Sequence, residues 1–337
     1  MSGLDSYGRT PSSFQSTDRL SVDPSLYRRL AQRIGRDHLD RRLQIQARSG
    51  VKLYTIGGYA LLPLRNAQRF HALLKLFFRS TGLFRRGQVN CLDYRLEQVR
   101  LHLQGLPAAF QGFRILQLSD LHADGIPDAG VMLTSLLQSM DCDLCVITGD
   151  YRFDTHSEYL AAMTTTAKIV AAVRSKFGVV GVLGNHDDVA FVPELENMGL
   201  RVLLNESIRI EKDGQSLLLA GVDDPHMYKC HDLDKALSAR RDRETALLLA
   251  HTPEIYAQAE RAGIEYLLCG HTHGGQVCLP WNIPIISNAS SPRRYCRGLW
   301  RYRGMWGYTS RGTGSSGLAV RYCCPPEITL HILNLRS

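Results

Sequence analysis

Short runs of hydrophobic residues alternate with helix-length segments from about residue 93 to the end of the chain. Most of these runs are apolar throughout, which is typical of strands buried on both faces in a layered α/β protein. The pattern predicts an α/β fold for residues 93–337, and the chain contains no internal repeat. Strands are predicted at 114–119, 143–148, 178–183, 216–221, 246–250 and 266–269.

The first part of the chain has a different pattern. Residues 1–22 are rich in Ser, Thr, Asp and Gly and predict a flexible tail, whereas residues 23–92 predict a basic amphipathic extension that is partly helical. A helix is expected from Asp23, which would cap it, and the proline that follows. Leu30 and Ile34 would lie on its apolar face.

A second amphipathic helix is predicted after Asn66. Its hydrophobic side chains recur at helical spacing with basic residues between them: Phe70, Leu73, Leu74 and Phe77. Such a helix can lie on an anionic membrane surface, or it can dock on its own domain with a solvated basic face. The pattern leaves both alternatives open.

The net charge is concentrated in the same N-terminal part. The whole chain carries 40 Lys and Arg against 32 Asp and Glu, a formal charge of +8. Residues 1–105 hold 18 basic and 7 acidic side chains, and residues 106–337 hold 22 basic and 25 acidic ones. A charge of +11 therefore belongs to the extension and its border, while the α/β part is mildly acidic. The extension is expected to face an anionic partner.

The composition and the N-terminal residues indicate the class of protein and its cellular compartment. The hydrophobic content of 44% excludes a disordered or fibrous protein. Nine cysteines, several inside apolar runs, favour a reducing environment. The N-terminus is polar and the apolar stretches 54–64 and 70–78 are short. We expect a cytoplasmic protein, and the basic extension leaves open a peripheral location at the inner face of the cytoplasmic membrane.

Polar clusters follow the predicted strands directly. In chain order they are Asp120-Leu121-His122, Gly149-Asp150, Gly184-Asn185-His186-Asp187, His251 and Gly270-His271-Thr272-His273. Because the ends of strands in an α/β sheet meet at one rim, these side chains are expected to gather there. Carboxylates with imidazoles are a donor set that suits borderline divalent ions such as Mn²⁺, Fe²⁺ or Zn²⁺.

Taken in this order, the five clusters resemble the motifs of the calcineurin-like metallophosphoesterase family, which read D-x-H, G-D, G-N-H-D/E, H and G-H-x-H. The resemblance covers roughly residues 108–334 and implies a four-layer α-β-β-α sandwich. Within the family, residues 106–107, 112–115, 220–224 and 270–276 are most similar to the YkuE-type bacterial phosphoesterase branch. The long N-terminal extension departs from the family pattern.

The resemblance also implies a role for each residue of the clusters. Two divalent metal ions would be bound, one by Asp120, His122, Asp150 and His273 and the other by Asp150, Asn185, His251 and His271, so that Asp150 bridges them. A metal-activated water would attack phosphorus. His186 would contact the phosphate and stabilise or protonate the leaving oxygen. Asp187 would orient His186 or a metal ligand.

Additional cations are expected to contact the substrate phosphate. Arg152 lies close to the predicted rim, and Arg311 and Arg321 belong to a stretch in which arginines alternate with aromatic residues. The alternative for that stretch is a solvated loop with structural aromatics. Asp223, Asp224 and His226 form one more polar cluster, and a structural turn is favoured there over a third metal site.

The resulting functional hypothesis is a two-metal phosphoesterase that hydrolyses a phosphodiester or pyrophosphate bond of a phosphorylated small molecule or a lipid-linked substrate at the membrane surface. A nuclease or nucleotide phosphodiesterase is the alternative enzyme, because the basic extension could follow a nucleic-acid backbone. A metallophosphoesterase-fold scaffold without activity is the alternative from a different class. The oligomeric state is open.

Overall fold

The computed structural model describes residues 22–49, 75–153, 159–285 and 289–336. Its helices are α1 Pro24–Ile34, α2 Arg36–Ser49, α3 Leu83–Asn90, α4 Val131–Gln138, α5 Leu160–Ala172, α6 Val192–Asn197, α7 Leu233–Ala236 and α8 Tyr256–Arg261. Residues 75–80 are also helical. The predicted tail, except for its last residue, and most of the helix predicted after Asn66 lie outside the described residues.

The strands account for every run that the hydrophobic pattern singled out. They are β1 Arg95–Leu103, β2 Phe113–Leu118, β3 Asp141–Cys142, β4 Leu144–Ile147, β5 Arg174–Ser175, β6 Val179–Gly181, β7 Leu200–Val202, β8 Glu206–Lys212, β9 Gln215–Gly221, β10 Ala246–Leu249, β11 Tyr266–Cys269, β12 Cys278–Leu279, β13 Ile283–Pro284, β14 Gly298–Tyr302, β15 Met305–Thr309 and β16 Glu327–Leu335. The predicted strands are confirmed, with small differences at their ends.

Two six-stranded sheets form the centre of the molecule. The first has the order β1-β16-β2-β4-β6-β7 and the second the order β14-β15-β11-β10-β9-β8. The strands that precede the polar clusters are parallel neighbours: β2 pairs with β4 and β4 with β6, while β10 pairs with β11. The clusters after these strands therefore emerge at the same end of each sheet.

Three hydrophobic clusters define four layers. One fills the space between the sheets and includes Ile115, Val146, Leu219 and Leu268. A second packs α1, α4, α5 and α6 against the outer face of the first sheet, and a third packs α7 and α8 against the outer face of the second. The layers are thus helix, sheet, sheet and helix, which confirms the expected α/β sandwich.

The first helix of the extension begins as its sequence predicts. The Asp23 side chain accepts hydrogen bonds from the backbone N–H groups of Ser25 and Leu26, and a proline occupies the first helical position. Leu30 and Ile34 are buried in the core outside the first sheet. The apolar face of α1 therefore docks on the sandwich.

Gly35 separates α1 from α2 with a φ of 91°, in a region that side-chain-bearing residues rarely occupy. Leu39 of α2 is then buried in the same core. The predicted division between an extension and a domain that starts at 93 stays a prediction, but these two helices pack as part of the sandwich. Within the described parts of the chain, no helix has both the length and the hydrophobicity to cross a bilayer.

Candidate metal centre

The structure brings all seven predicted ligand side chains together at the rim where the two sheets meet. They come from the segments after β2, β4, β6, β10 and β11, and all are buried: Asp120, His122, Asp150, Asn185, His251, His271 and His273. Polar side chains this deeply buried need partners, because burial without compensation is costly. Here they are one another's neighbours.

Asp150 lies between two groups of donors. Its Oδ2 is 3.3 Å from His251 Nε2 and 3.6 Å from His122 Nε2. On one side, Asp120, His122 and His273 offer ligand atoms within 4.8 Å of one another, and on the other side Asp150, His251 and His271 do so. One carboxylate thus connects two sets of ligand atoms, as a shared ligand of two ions must.

Shorter contacts complete each group. His122 Nε2 lies 3.2 Å from His273 Nε2, and His273 Nε2 lies 3.4 Å from Asp120 Oδ1. In the other group, the Asn185 side-chain oxygen is 2.9 Å from His251 Nε2. Oxygen and imidazole nitrogen atoms of this kind at these separations fit divalent ions of borderline softness.

Backbone carbonyls orient two of the imidazoles. His122 Nδ1 is 2.7 Å from the carbonyl oxygen of Arg152, and His251 Nδ1 is 2.8 Å from that of Thr148. A ring that donates from Nδ1 to a carbonyl leaves Nε2 free to act as a ligand. In both residues, it is Nε2 that faces Asp150.

The backbone at the rim is strained. Several of the candidate ligands adopt left-handed φ angles, which cost about 1–3 kcal/mol for a non-glycine residue. They are Asp120 (φ 50°), His122 (φ 39°), Asp150 (φ 58°), His271 (φ 70°) and His273 (φ 50°). Strain of this kind persists only where the surrounding fold over-determines the conformation, and it clusters at functional sites.

Two glycines of the motifs allow the chain to approach the carboxylates closely. A Cβ on Gly184 would collide with the Asp150 carboxylate, and a Cβ on Gly270 would collide with Ser119 and Asp120. Neither glycine has a positive φ. Both are therefore needed for space rather than for an unusual turn.

Burial and the charges of neighbouring side chains shift the pKa values of the cluster in opposing directions. Burial raises the pKa of Asp120 to about 7, with the charge of Asp150 acting in the same direction, and burial lowers the pKa of His122 to about 3. Burial alone would also raise the pKa of Asp150, but His251 and His186 hold it well below its usual range. Divalent cations would satisfy ionised carboxylates and neutral imidazoles together, so the donor set fits them.

The two predicted catalytic residues lie directly beside the ligands. His186 Nδ1 is 3.2 Å from the carbonyl oxygen of Phe153, and its Nε2 is 4.0 Å from Asp150 Oδ2. The Asp187 carboxylate accepts hydrogen bonds from the backbone N–H groups of Asp150, Tyr151 and Gly184, each at 2.8 Å. The Asp187 carboxylate thus holds the turn that carries Asp150, and its assignment as a residue that orients His186 or a metal ligand stays a prediction.

The three arginines predicted to contact substrate are engaged with protein groups. Arg152 donates to the His186 carbonyl oxygen and pairs with Asp188. Arg311 pairs with two glutamates. Arg321 is fully buried and donates mainly to backbone carbonyls, with one nitrogen 3.4 Å from His273 Nδ1. Their assignment as substrate contacts stays a prediction.

The loop after β9 contains a structural turn, as expected. Asp224 accepts hydrogen bonds from the backbone N–H groups of His226, Met227 and Tyr228. The structure adds what the sequence did not show: the His226 ring lies 4.2 Å from that of His271, and its Nδ1 is 2.9 Å from Glu254. The sequence marked His226 as part of a polar cluster, but its contact with a candidate ligand depends on the tertiary structure.

Helix α2 supplies two further residues that sequence reasoning missed. Arg42 donates to the carbonyl oxygen of Asp187 at 2.9 Å, and the Gln46 side-chain oxygen accepts a hydrogen bond from the backbone N–H of Val189. Both contacts reach the loop that carries Asn185 and His186. Local sequence patterns do not indicate these contacts, because they join segments that lie far apart in the chain.

Comparisons with known proteins agree with the motifs. The family model for calcineurin-like phosphoesterases matches residues 113–275. The chain is 30% identical over 239 residues to the uncharacterized metallophosphoesterase YkuE of Bacillus subtilis, covering 68% of this chain and 81% of that protein. It is 28% identical over 251 residues to the uncharacterized metallophosphoesterase YkoQ of the same organism, covering 72% and 91%. It is also 28% identical over 230 residues to the phosphodiesterase YaeI of Escherichia coli, covering 65% and 81%.

Proposed function

The chain belongs to the calcineurin-like phosphoesterase family, whose members hydrolyse phosphoric esters, and from this premise we propose that it cleaves a phosphodiester or pyrophosphate bond with two divalent metal ions. The observation that carries the proposal is the position of Asp150 between two groups of buried oxygen and nitrogen donors. Lipid-linked phosphates are the proposed substrate class, and Mn²⁺, Fe²⁺ or Zn²⁺ the proposed metals.

Seven side chains would hold the metals. One ion would be held by Asp120, His122, Asp150 and His273, and the other by Asp150, Asn185, His251 and His271. When bound, the two cations would stabilise charge on the phosphoryl oxygens and lower the pKa of a water molecule. The protein's part is to present these atoms in a fixed, largely dry arrangement, for which the buried side chains and the strained backbone provide the rigidity.

His186 is proposed to contact the substrate. Its Nδ1 faces the Phe153 carbonyl oxygen, so its Nε2 faces the region of Asp150. The side chain is not fully buried, so a phosphoryl or leaving-group oxygen can reach it. A hydrogen bond from Nε2 to that oxygen would stabilise the charge that develops as the bond breaks. Asp187 would keep the Asp150 turn in place during this step.

The experiment is a substrate panel run on the full chain loaded with each of the three metals. The panel contains bis-aryl and mono-aryl phosphates, cyclic nucleotides, DNA and a UDP-linked lipid. The proposal expects turnover of a diester or the pyrophosphate, and a loss of about 1,000-fold in kcat for Asp150→Ala, the scale for removing a principal electrostatic group. Asp141→Ala, which removes an exposed carboxylate paired with Arg174, is the matched control and should keep wild-type kcat.

Other outcomes decide against the proposal. Cleavage of DNA without the other substrates would make the protein a nuclease. If the metal-loaded protein hydrolyses no substrate of the panel, the alternative of a scaffold without activity is favoured. Equal activity of wild type and Asp150→Ala would show that the measured hydrolysis does not come from this centre.

A further inference from the structure

Exposed hydrophobic side chains are concentrated in two neighbouring segments of the chain's surface. Sixteen large hydrophobic side chains are exposed in the described residues, and eight of them belong to residues 75–90 and 278–285. We call these two segments together the apolar face. Its exposed members are Leu76, Phe77, Leu83, Val89, Leu279, Trp281, Ile283 and Ile285. A concentration of this kind indicates an interaction surface, whereas scattered exposed residues do not.

Tyr322 joins the two segments into a single surface. Its ring stacks on that of Phe78 at 5.5 Å, and its hydroxyl donates to the carbonyl oxygen of Leu83. On the other side, its carbonyl oxygen accepts the backbone N–H of Cys278 at 2.9 Å. Phe78, Leu318 and Val320 form a small buried cluster beneath it. Both segments of the apolar face are therefore held against the rest of the protein by contacts with Tyr322.

The second segment is a short hairpin with a tryptophan at its tip. Strands β12 and β13 are antiparallel and pair Leu279 with Ile283. Between them, Trp281 is 88% exposed in a left-handed backbone conformation that turns the chain. No charged residue occurs from 277 to 285. An uncharged hairpin that presents Trp and Ile to solvent has the composition of a segment that enters a membrane interface.

The first segment supplies positive charge beside this apolar surface. Residues 75–90 contain Lys75, Arg79, Arg85 and Arg86 and no acidic residue. All four side chains are exposed, and in the part of the chain that the structure describes none of them has a carboxylate partner. Apolar residues that can insert, next to cations without counterions, are complementary to a surface of anionic lipid.

The apolar face adjoins the metal centre. The hairpin begins shortly after His273, and Arg321, the residue before Tyr322, has a nitrogen 3.4 Å from His273 Nδ1. A membrane in contact with the apolar face would therefore lie beside the rim where the candidate ligands converge.

We propose that the apolar face docks the protein on an anionic membrane surface. The occupant is the lipid bilayer itself, with its acyl region receiving Trp281 and Ile283 and its negative headgroups neutralising the four cations. This docking deepens the proposed function, because it would bring lipid-linked phosphates to the metal centre. The docking itself needs no catalysis, so vesicle binding tests it independently.

The experiment is vesicle flotation of the full chain without substrate. One set of vesicles contains phosphatidylglycerol with phosphatidylethanolamine, and the other contains phosphatidylcholine alone. Binding is expected on the anionic vesicles, falling as salt is raised, and little on phosphatidylcholine. Changing Lys75, Arg79, Arg85 and Arg86 to Gln should weaken binding by about a hundredfold or more, because each cation near an anionic surface contributes about fivefold.

Variants of the hairpin separate insertion from charge. Trp281→Ser with Ile283→Ser should lose most vesicle binding while keeping wild-type thermal unfolding, since both side chains are exposed. Val131→Gln is the matched control, because Val131 is 68% exposed on α4, which contains no cation. It should bind vesicles as wild type does.

Three results would overturn the docking. Equal flotation of wild type and both sets of variants is one, and a loss for Val131→Gln as large as that for the hairpin variant is another. The third is a dimer in solution that the hairpin variant dissociates, which would show that a second copy covers the surface. Activity on a soluble diester gives a separate result: its absence would remove the proposed function and leave the docking standing.

Discussion

The basic N-terminal segment contains two parts that look alike in sequence and behave oppositely in the fold. Helices α1 and α2 place Leu30, Ile34 and Leu39 in the core of the sandwich. Residues 75–90 leave Leu76 and Phe77 in solvent. The sequence of a basic amphipathic helix therefore does not reveal whether its apolar face is covered by its own protein or is left for a partner.

Helix α2 also contributes a buried arginine to the interior of the protein. Arg42 of α2 is fully buried, with its guanidinium 3.3 Å from the Asp223 carboxylate and 3.1 Å from the centre of the Tyr228 ring. The Asp223 charge raises the pKa of Arg42 against the opposing effect of burial. Arg42, one of the basic residues of the extension, therefore belongs to an internal ion pair and also donates to the carbonyl oxygen of Asp187.

The largest expected effect comes from breaking that pair. Arg42→Met would remove the buried arginine from Asp223 and leave only His38, at 2.8 Å, beside the carboxylate. Removing one partner of a buried ion pair typically costs 3–5 kcal/mol, so we expect the free energy of unfolding to fall by about 4 kcal/mol. Urea denaturation measures it. Arg28→Met is the control, because Arg28 is exposed on α1 and its loss should change stability by less than about 0.5 kcal/mol. Similar values for the two variants would remove the distinction between inward and outward charge.

A matched pair of leucines tests the apolar faces themselves. Leu30→Ala should cost about 2–5 kcal/mol, because Leu30 is 3% exposed and its loss leaves a cavity. Leu76→Ala should cost less than about 0.5 kcal/mol, because Leu76 is 63% exposed. Thermal and urea unfolding of both variants give the comparison. A large loss for Leu76→Ala would mean that the outward part is also covered within the protein.

The acid dependence of stability offers a smaller test. Burial alone would raise the pKa of Asp223, but Arg42 and His38 hold it below its ordinary value of 3.8. The stability contributed by the ionised carboxylate is therefore fully present above about pH 4 and is lost as the pH falls further. We expect wild type and Asp223→Asn to differ by a constant amount from pH 5 to 7 and to converge below pH 4. Urea titrations at each pH measure the difference, and a gap that widens in acid would contradict the assignment.

The smallest expected effect is the absence of a change. Arg28→Gln with Arg29→Gln removes two exposed cations of α1, whose apolar side faces the core. Vesicle binding should stay within about twofold of wild type, since charges away from the bilayer are screened beyond about 8–10 Å. Flotation under the conditions used for the apolar face measures this. A large loss would assign the membrane contact to the first part of the extension instead.

The strands and the chemistry of the rim could be predicted because both are local. Apolar runs marked the strands, and the polar residues after them needed only the parallel order of the sheets to meet. Asp120 and Asp150 come together in this way. The partners of Arg311 and Arg321 could not be predicted in the same way, since Arg311 pairs with Glu97 and Glu327, and Glu97 lies far from it in the chain.

Local sequence patterns were enough to predict the α/β class, the places where strands end and the donor types that gather there, because periodicity and residue chemistry act over a few neighbours. Which basic residues are internal and which face outward depends instead on the packing of distant segments. Arg42 and Arg79 are both arginines of helical segments in the basic N-terminal part, yet the first is fully buried and the second exposed. The difference depends on which distant surface each helix meets, and the free energy of burying charge or apolar area is set by that surface.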